Sequence, residues 1–83
     1  MRRRSDVVWR QVDGSIVVLD LRTSQYFSLN PSATVLWQLL QDDTDVDTLV
    51  DALVEREDVD RERATSDVGA FVEQLRSLRL VDD

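Results

Sequence analysis

The fold is decided by residues 7–31, which read VVWRQVDGSIVVLDLRTSQYFSLNP. Two runs rich in β-branched and aromatic residues, 7–12 and 15–21, favour strands. Between them lies Asp13-Gly14, the strongest short hairpin signal, because a type I′ turn needs a positive φ at both central residues. The sequence therefore predicts a tight antiparallel hairpin.

The two-residue loop also predicts which side chains share a face of the hairpin, since Val12 then lies opposite Ser15 and the faces alternate from there. One face carries Val8, Arg10, Val12, Val17, Leu19 and Leu21, and the other carries Val7, Trp9, Gln11, Ile16, Val18 and Asp20. Neither face is uniformly polar, so the pattern leaves open which of them faces the core.

A third short run, Gln25–Leu29, follows a turn at 21–24 and predicts the last strand of a three-stranded meander. Alternation puts Phe27 on the opposite side from Tyr26. We expect this strand to lie at an edge of the sheet, where unpaired N–H and C=O groups can accept an added strand. The alternative is an edge that is protected by its shortness.

Helices are predicted for the rest of the chain. Asn30 suits an N-cap and Pro31 the first helical position, so the first helix covers about 31–41. Thr44 is predicted to cap a second helix that ends near Arg56.

A third helix is predicted over 61–78, with Gly69 inside it. Glycine costs about 0.8–1 kcal/mol relative to Ala in a helix, which suggests either close packing at this position or the close approach of another molecule. The fold class is α+β and winged-helix-like, with a three-stranded antiparallel sheet followed by three helices. We expect a flexible N-terminal arm over 1–6 and a single domain over 7–82.

Composition excludes several classes of function. The chain has 83 residues, 17 acidic against 10 basic, and a net charge of −7, which disfavours nucleic-acid and anionic-membrane binding. It contains no Cys, His or Lys, so thiolate, imidazole and Schiff-base chemistry are absent. We expect a non-catalytic cytoplasmic protein with no cofactor and no metal.

An acidic run and a set of helix arginines could each indicate a further binding function. Asp42, Asp43, Asp45 and Asp47 lack the glycine and the terminal glutamate of a calcium loop, so they are interpreted as helix-end carboxylates. The arginines of the last helix leave a winged-helix DNA-binding protein as an alternative, although acidic residues are interspersed among them.

The chain resembles the PqqD family, the leader-recognition domains of pathways that make peptides on the ribosome. The resemblance rests on DLRTSQYFSLN at 20–30 and DVGAFVEQL at 67–75, followed by Leu80-Val81. Most members carry Gly before this last pair, where this chain has Arg79.

The resemblance implies a binding site for the leader segment of a precursor peptide. The leader would add as a strand to the third strand of the sheet, in the groove against the third helix. The implied site residues are Gln25, Tyr26, Phe27, Ser28, Leu29, Asp67, Ala70, Phe71, Gln74 and Leu78. A chain of this length most resembles the separate recognition subunit of lasso-peptide pathways, which implies delivery of the precursor to a leader-removing cysteine protease. A monomer is expected in isolation.

Overall fold

The chain forms three strands and three helices in the predicted order, with one short strand added at each end. A computed structural model describes residues 1–82. The elements are β1 (Arg2–Arg3), β2 (Val7–Val12), β3 (Ser15–Asp20), β4 (Gln25–Leu29), α1 (Pro31–Leu39), α2 (Val46–Glu57), α3 (Arg61–Ser77) and β5 (Val81–Asp82). The predicted α+β class is confirmed, and the predicted third strand is β4.

The hairpin turns at the predicted place. Asp13 and Gly14 have φ values of 52° and 82°, as a type I′ turn requires. Val12 lies opposite Ser15, and the register predicted for β2 and β3 is confirmed along both strands. Strand β4 pairs antiparallel with the other side of β3, which gives the order β2-β3-β4.

The helices cover the face of the sheet that carries Ile16, Val18 and Asp20, all of which are buried. Phe27 and Leu29 of β4 lie opposite Val18 and Ile16 and are half-buried on the same face. This packing settles which face of the hairpin is the core. The helices contribute Leu36, Trp37, Leu49, Leu53, Phe71 and Leu75 to the core, and Leu40 and Leu80 join it from just beyond the ends of α1 and α3.

The cap of α1 is as predicted and that of α2 is not. Asn30 accepts a hydrogen bond from the backbone N–H of the third helical residue at 2.8 Å. In α2 the cap is Asp45, whose carboxylate accepts from the N–H of Thr48 at 2.8 Å, so the prediction of Thr44 was wrong. The backbone N–H of Thr44 instead donates to the carbonyl of Met1 at 2.8 Å.

The N-terminal residues are paired, which differs from the flexible arm expected over 1–6. Strand β1 pairs antiparallel with β5, with Arg2 opposite Asp82 and Arg3 opposite Val81. The N–H of Arg3 also donates to the carbonyl of Leu40 at 2.9 Å. These backbone bonds hold the segment against the end of α1.

Helix α3 ends in a Schellman motif. The N–H of Leu80 donates to the carbonyl of Leu75 at 2.9 Å, and the N–H of Arg79 donates to that of Arg76 at 3.1 Å. Arg79 has a φ of 56°, the conformation that glycine adopts most easily, at the position where the family resemblance implies a glycine. The space next to Gly69 is open, so the close packing expected at this residue is absent.

Candidate peptide-binding groove

Strand β4 has a free edge, since among residues 1–82 it pairs only with β3. Antiparallel neighbours alternate between hydrogen-bonded and non-bonded pairs. The hairpin turn makes Val12–Ser15 a bonded pair, so the backbone groups of Ile16, Val18 and Asp20 point toward β4. The 3.1 Å bond from the Ile16 N–H to Thr34 Oγ1 and the 2.8 Å bond from the Ser24 N–H to the Asp20 carbonyl agree with this direction.

The alternation identifies which groups of β4 are free. Gln25, Phe27 and Leu29 lie opposite Asp20, Val18 and Ile16, so their backbone groups face inward toward β3. The backbone N–H and C=O groups of Tyr26 and Ser28 therefore point away from the sheet. These two residues offer two donors and two acceptors to an added strand.

An open groove of about 640 Å³ lies beside this edge. Residues of α3 form the far wall of the groove. Helix α3 packs mainly against α2 and β5, and this packing leaves a space between α3 and β4. Phe71 and Leu78 supply apolar surface to the wall, and the exposed Ala70 also lines it. The groove therefore combines a backbone edge with apolar pockets, which is the combination used for strand addition.

Nine of the ten residues implied by the resemblance line this groove. They are Tyr26, Phe27, Ser28, Leu29, Asp67, Ala70, Phe71, Gln74 and Leu78. Gln25 begins β4 but is not among the lining residues, and its backbone groups face β3. Their role in binding a peptide remains a prediction.

Sequence reasoning missed the residues that close the ends and floor of the groove. These are Asn30, Ser32, Ala33, Leu36, Leu53, Arg63, Leu75 and Leu80. One signal was available: Asn30-Pro31 joins β4 directly to α1, which places the first turn of α1 at the end of the groove. Leu53 of α2 has no such signal, because it reaches the groove only through helix packing.

An arginine–aspartate pair lies near each end of the groove. At one end Arg63 and Asp67 form an exposed i,i+4 pair at 3.8 Å, which contributes little to stability. At the other end the turn into β4 is held by Asp20, which accepts from the backbone N–H of Arg22 at 2.9 Å and from its guanidinium at 3.2 Å. Burial acts to raise the pKa of Asp20, but these hydrogen bonds and the charges of Arg22 and Arg4 outweigh it and lower that pKa.

Among residues 1–82 no three acidic side chains come together in a way that would hold a metal ion. Within that range no helix has the length and apolar character needed to cross a membrane.

Solved structures of similar fold contain bound peptides. "TbiB1 in Complex with the TbiA(beta) Leader Peptide" matches with a TM-score of 0.88 at 29% identity, covering 100% of both chains. "Lasso peptide synthetase B1 complexed with the leader peptide" matches with a TM-score of 0.79 at 30% identity, covering 92% of this chain and 89% of the other. No curated protein matches the chain.

A family model agrees with these structural matches. The model for coenzyme PQQ synthesis protein D (PqqD) matches residues 15–81, from the start of β3 to β5. Because this match spans well over half of the 83 residues, the chain belongs to the PqqD family, as its sequence pattern predicted.

Proposed function

We propose that this protein captures the leader segment of a ribosomally made precursor peptide as an added strand on β4. The observation that carries the proposal is the free edge of Tyr26 and Ser28 beside the open groove. The two similar structures support it, since both are complexes with a leader peptide.

Simple energetics show which part of the groove matters most. Four ladder hydrogen bonds contribute roughly 2–6 kcal/mol at about 0.5–1.5 kcal/mol each. Ordering a flexible peptide costs roughly 2–5 kcal/mol, and lost rigid-body freedom costs more. Backbone pairing alone is therefore too weak. Apolar leader side chains against Phe71 and Leu78, worth about 1.5–3 kcal/mol each, supply the surplus.

The protein acts without catalysis and delivers the bound precursor to a leader-removing cysteine protease of a lasso-peptide pathway. It works in the cytoplasm and is a monomer when isolated. The absence of Cys, His and Lys from the sequence supports a binding role, since the side chains most used as nucleophiles and general bases are lacking. Copurification with the protease encoded beside it, and sedimentation of the isolated protein, test these two parts.

Substitution of Ser28 by proline tests the binding edge. Proline removes the outward N–H and its ring blocks the approach of a guest, while the inward bonds of Phe27 and Leu29 to β3 remain. For Ser28→Pro we expect the affinity for the leader encoded beside the gene to fall roughly a hundredfold, or about 2.8 kcal/mol. Fluorescence polarisation of the labelled leader measures it.

The matched control is Gln11→Pro on β2, the other edge of the same sheet. Gln11 lies opposite Ile16 in a non-bonded pair, so its N–H also points outward. This variant should fold as well as Ser28→Pro and bind the leader normally. Full-strength binding by a folded Ser28→Pro variant would refute strand addition at β4.

A further inference from the structure

Four of the ten arginines gather at one corner of this acidic chain. Arg4, Arg22, Arg76 and Arg79 line a pocket of about 370 Å³, here called the arginine pocket. One carboxylate, that of Asp82, lines it with them. Such a concentration of guanidinium groups in a chain of net charge −7 calls for a functional explanation.

Two of these guanidinium groups are held in place by the fold. Arg22 is fixed by the buried carboxylate of Asp20 at 3.2 Å, and it also donates to the carbonyl of Arg79 at 3.3 Å. Arg4 donates to the same carbonyl and pairs with Asp6. Each guanidinium has five N–H donors, so both groups keep donors available for a further acceptor.

The arginine pocket continues the end of the groove near Gln25. Leu78 and Leu80 line the groove, while Arg79 between them lines the pocket. Arg22 belongs to the turn that leads directly into β4, and its bond to the Arg79 carbonyl joins that turn to the end of α3. The groove and the arginine pocket are therefore adjacent at the end of α3, close to the turn that leads into Gln25.

We propose that the arginine pocket binds a carboxylate side chain of the leader, on the part of the peptide that extends beyond Gln25. This inference rests on the proposed function. Arginine matches carboxylate geometry with paired N–H groups, and these charge-assisted bonds are stronger than neutral ones. At the opposite end one arginine, Arg63, lies beside one carboxylate, Asp67, whereas four arginines and one carboxylate line the pocket, so this difference selects the direction of the guest.

The test compares two peptides and three proteins. The peptides are the labelled leader encoded beside the gene and the same leader with every Asp and Glu changed to Asn and Gln. The proteins are wild type, the R76Q/R79G variant, and R10Q/R56Q, which removes the same charge outside both sites. Glycine suits the φ of 56° at position 79, so R76Q/R79G should fold.

Wild type and R10Q/R56Q should bind the acidic leader about tenfold more tightly than its neutral form, and R76Q/R79G should lose this preference. Equal binding of both forms by wild type would overturn the proposal. So would a preference that survives in R76Q/R79G, or a leader with no acidic residue beyond the paired segment.

A second measurement tests the arginine pocket independently of leader binding in the groove. If neither leader form binds wild type, the proposed function fails, and the pocket is then tested with acetylated tetraglutamate. Shifts of the Arg22 and Arg79 side-chain NMR signals with tetraglutamate, but not with tetraglutamine, would support a carboxylate-binding pocket. No shift would overturn it.

Discussion

The sheet has two free edges, and they differ in what lies beside them. Strand β2 is longer than β4 and more exposed. Next to β2 the Arg3 guanidinium lies 4.8 Å from the Trp9 ring and 5.6 Å from the Trp37 ring, and no β2 residue lines the groove or the arginine pocket. Beside β4 the groove is open. An edge becomes a binding site when a cavity next to it can hold the side chains of the guest.

The largest loss of stability is expected when proline replaces a β4 residue whose backbone N–H points toward β3. In Phe27→Pro the lost N–H pairs with β3, and a half-buried ring is also lost. The lost bond leaves a buried acceptor, costing about 1–3 kcal/mol, and the ring adds about 1.5–3 kcal/mol. Urea unfolding should therefore show that the free energy of unfolding falls by roughly 2.5–6 kcal/mol. A loss equal to that of Ser28→Pro would contradict the inferred alternation along β4.

A larger side chain in the groove should weaken leader binding and leave β4, like β2, as an edge without a cavity for the guest. Ala70 is exposed and lines the groove, so Ala70→Glu places a charged side chain where the guest packs. We expect at least a tenfold loss of leader affinity, about 1.4 kcal/mol, with unchanged folding. Thr65→Glu, an exposed position of α3 outside the groove, is the control of equal charge. Similar losses in both variants would point to net charge instead of the groove.

A smaller effect is expected at Gly69, next to the groove wall. A Cβ at this position meets nothing within 4 Å, so Gly69→Ala should gain the helix propensity of alanine, about 0.8–1 kcal/mol. For a domain of this size that raises Tm by roughly 4–8 °C. Calorimetry measures it, and leader affinity should not change. Weaker leader binding would show that the guest approaches α3 at this residue.

The smallest effect concerns one carboxyl at the turn into β4. The pKa of Asp20 is lower in the folded protein than in the unfolded chain, so the ionised carboxylate stabilises the fold above the unfolded pKa of about 3.9. This stabilisation is lost as the pH falls through the lower pKa of the folded protein. The stability difference between wild type and Asp20→Asn should therefore shrink below about pH 4. Urea unfolding at several pH values tests this, and a difference that grows on acidification would contradict it.

Local sequence predicted the sheet because each signal acts within a few residues. Asp13-Gly14 determines its own turn and, through the two-residue loop, the register of β2 on β3. Asn30 and Pro31 determine the start of α1 in the same way. These features depend on backbone φ and on neighbouring hydrogen bonds, which a short stretch of chain contains.

The features that sequence left open or predicted wrongly depend on distant residues. The core face of the hairpin is set by helices that follow it in the chain. The N-cap of α2 is Asp45 and not the predicted Thr44. The backbone of Thr44 is hydrogen-bonded to that of Met1, more than forty residues away in sequence. The groove floor at Leu53 and the arginine pocket likewise join segments that no short motif links.

The alternation along β4 restricts the positions that a bound peptide can take along the edge. Tyr26 and Ser28 present the outward backbone groups, so a bound peptide can shift along the edge only in steps of two residues while keeping the same face toward the groove. One extra residue inserted into a leader, between its apolar anchors and its acidic flank, would turn every later side chain to the wrong side. Two extra residues would return these side chains to their original side, so the edge accommodates changes in leader length only in multiples of two residues.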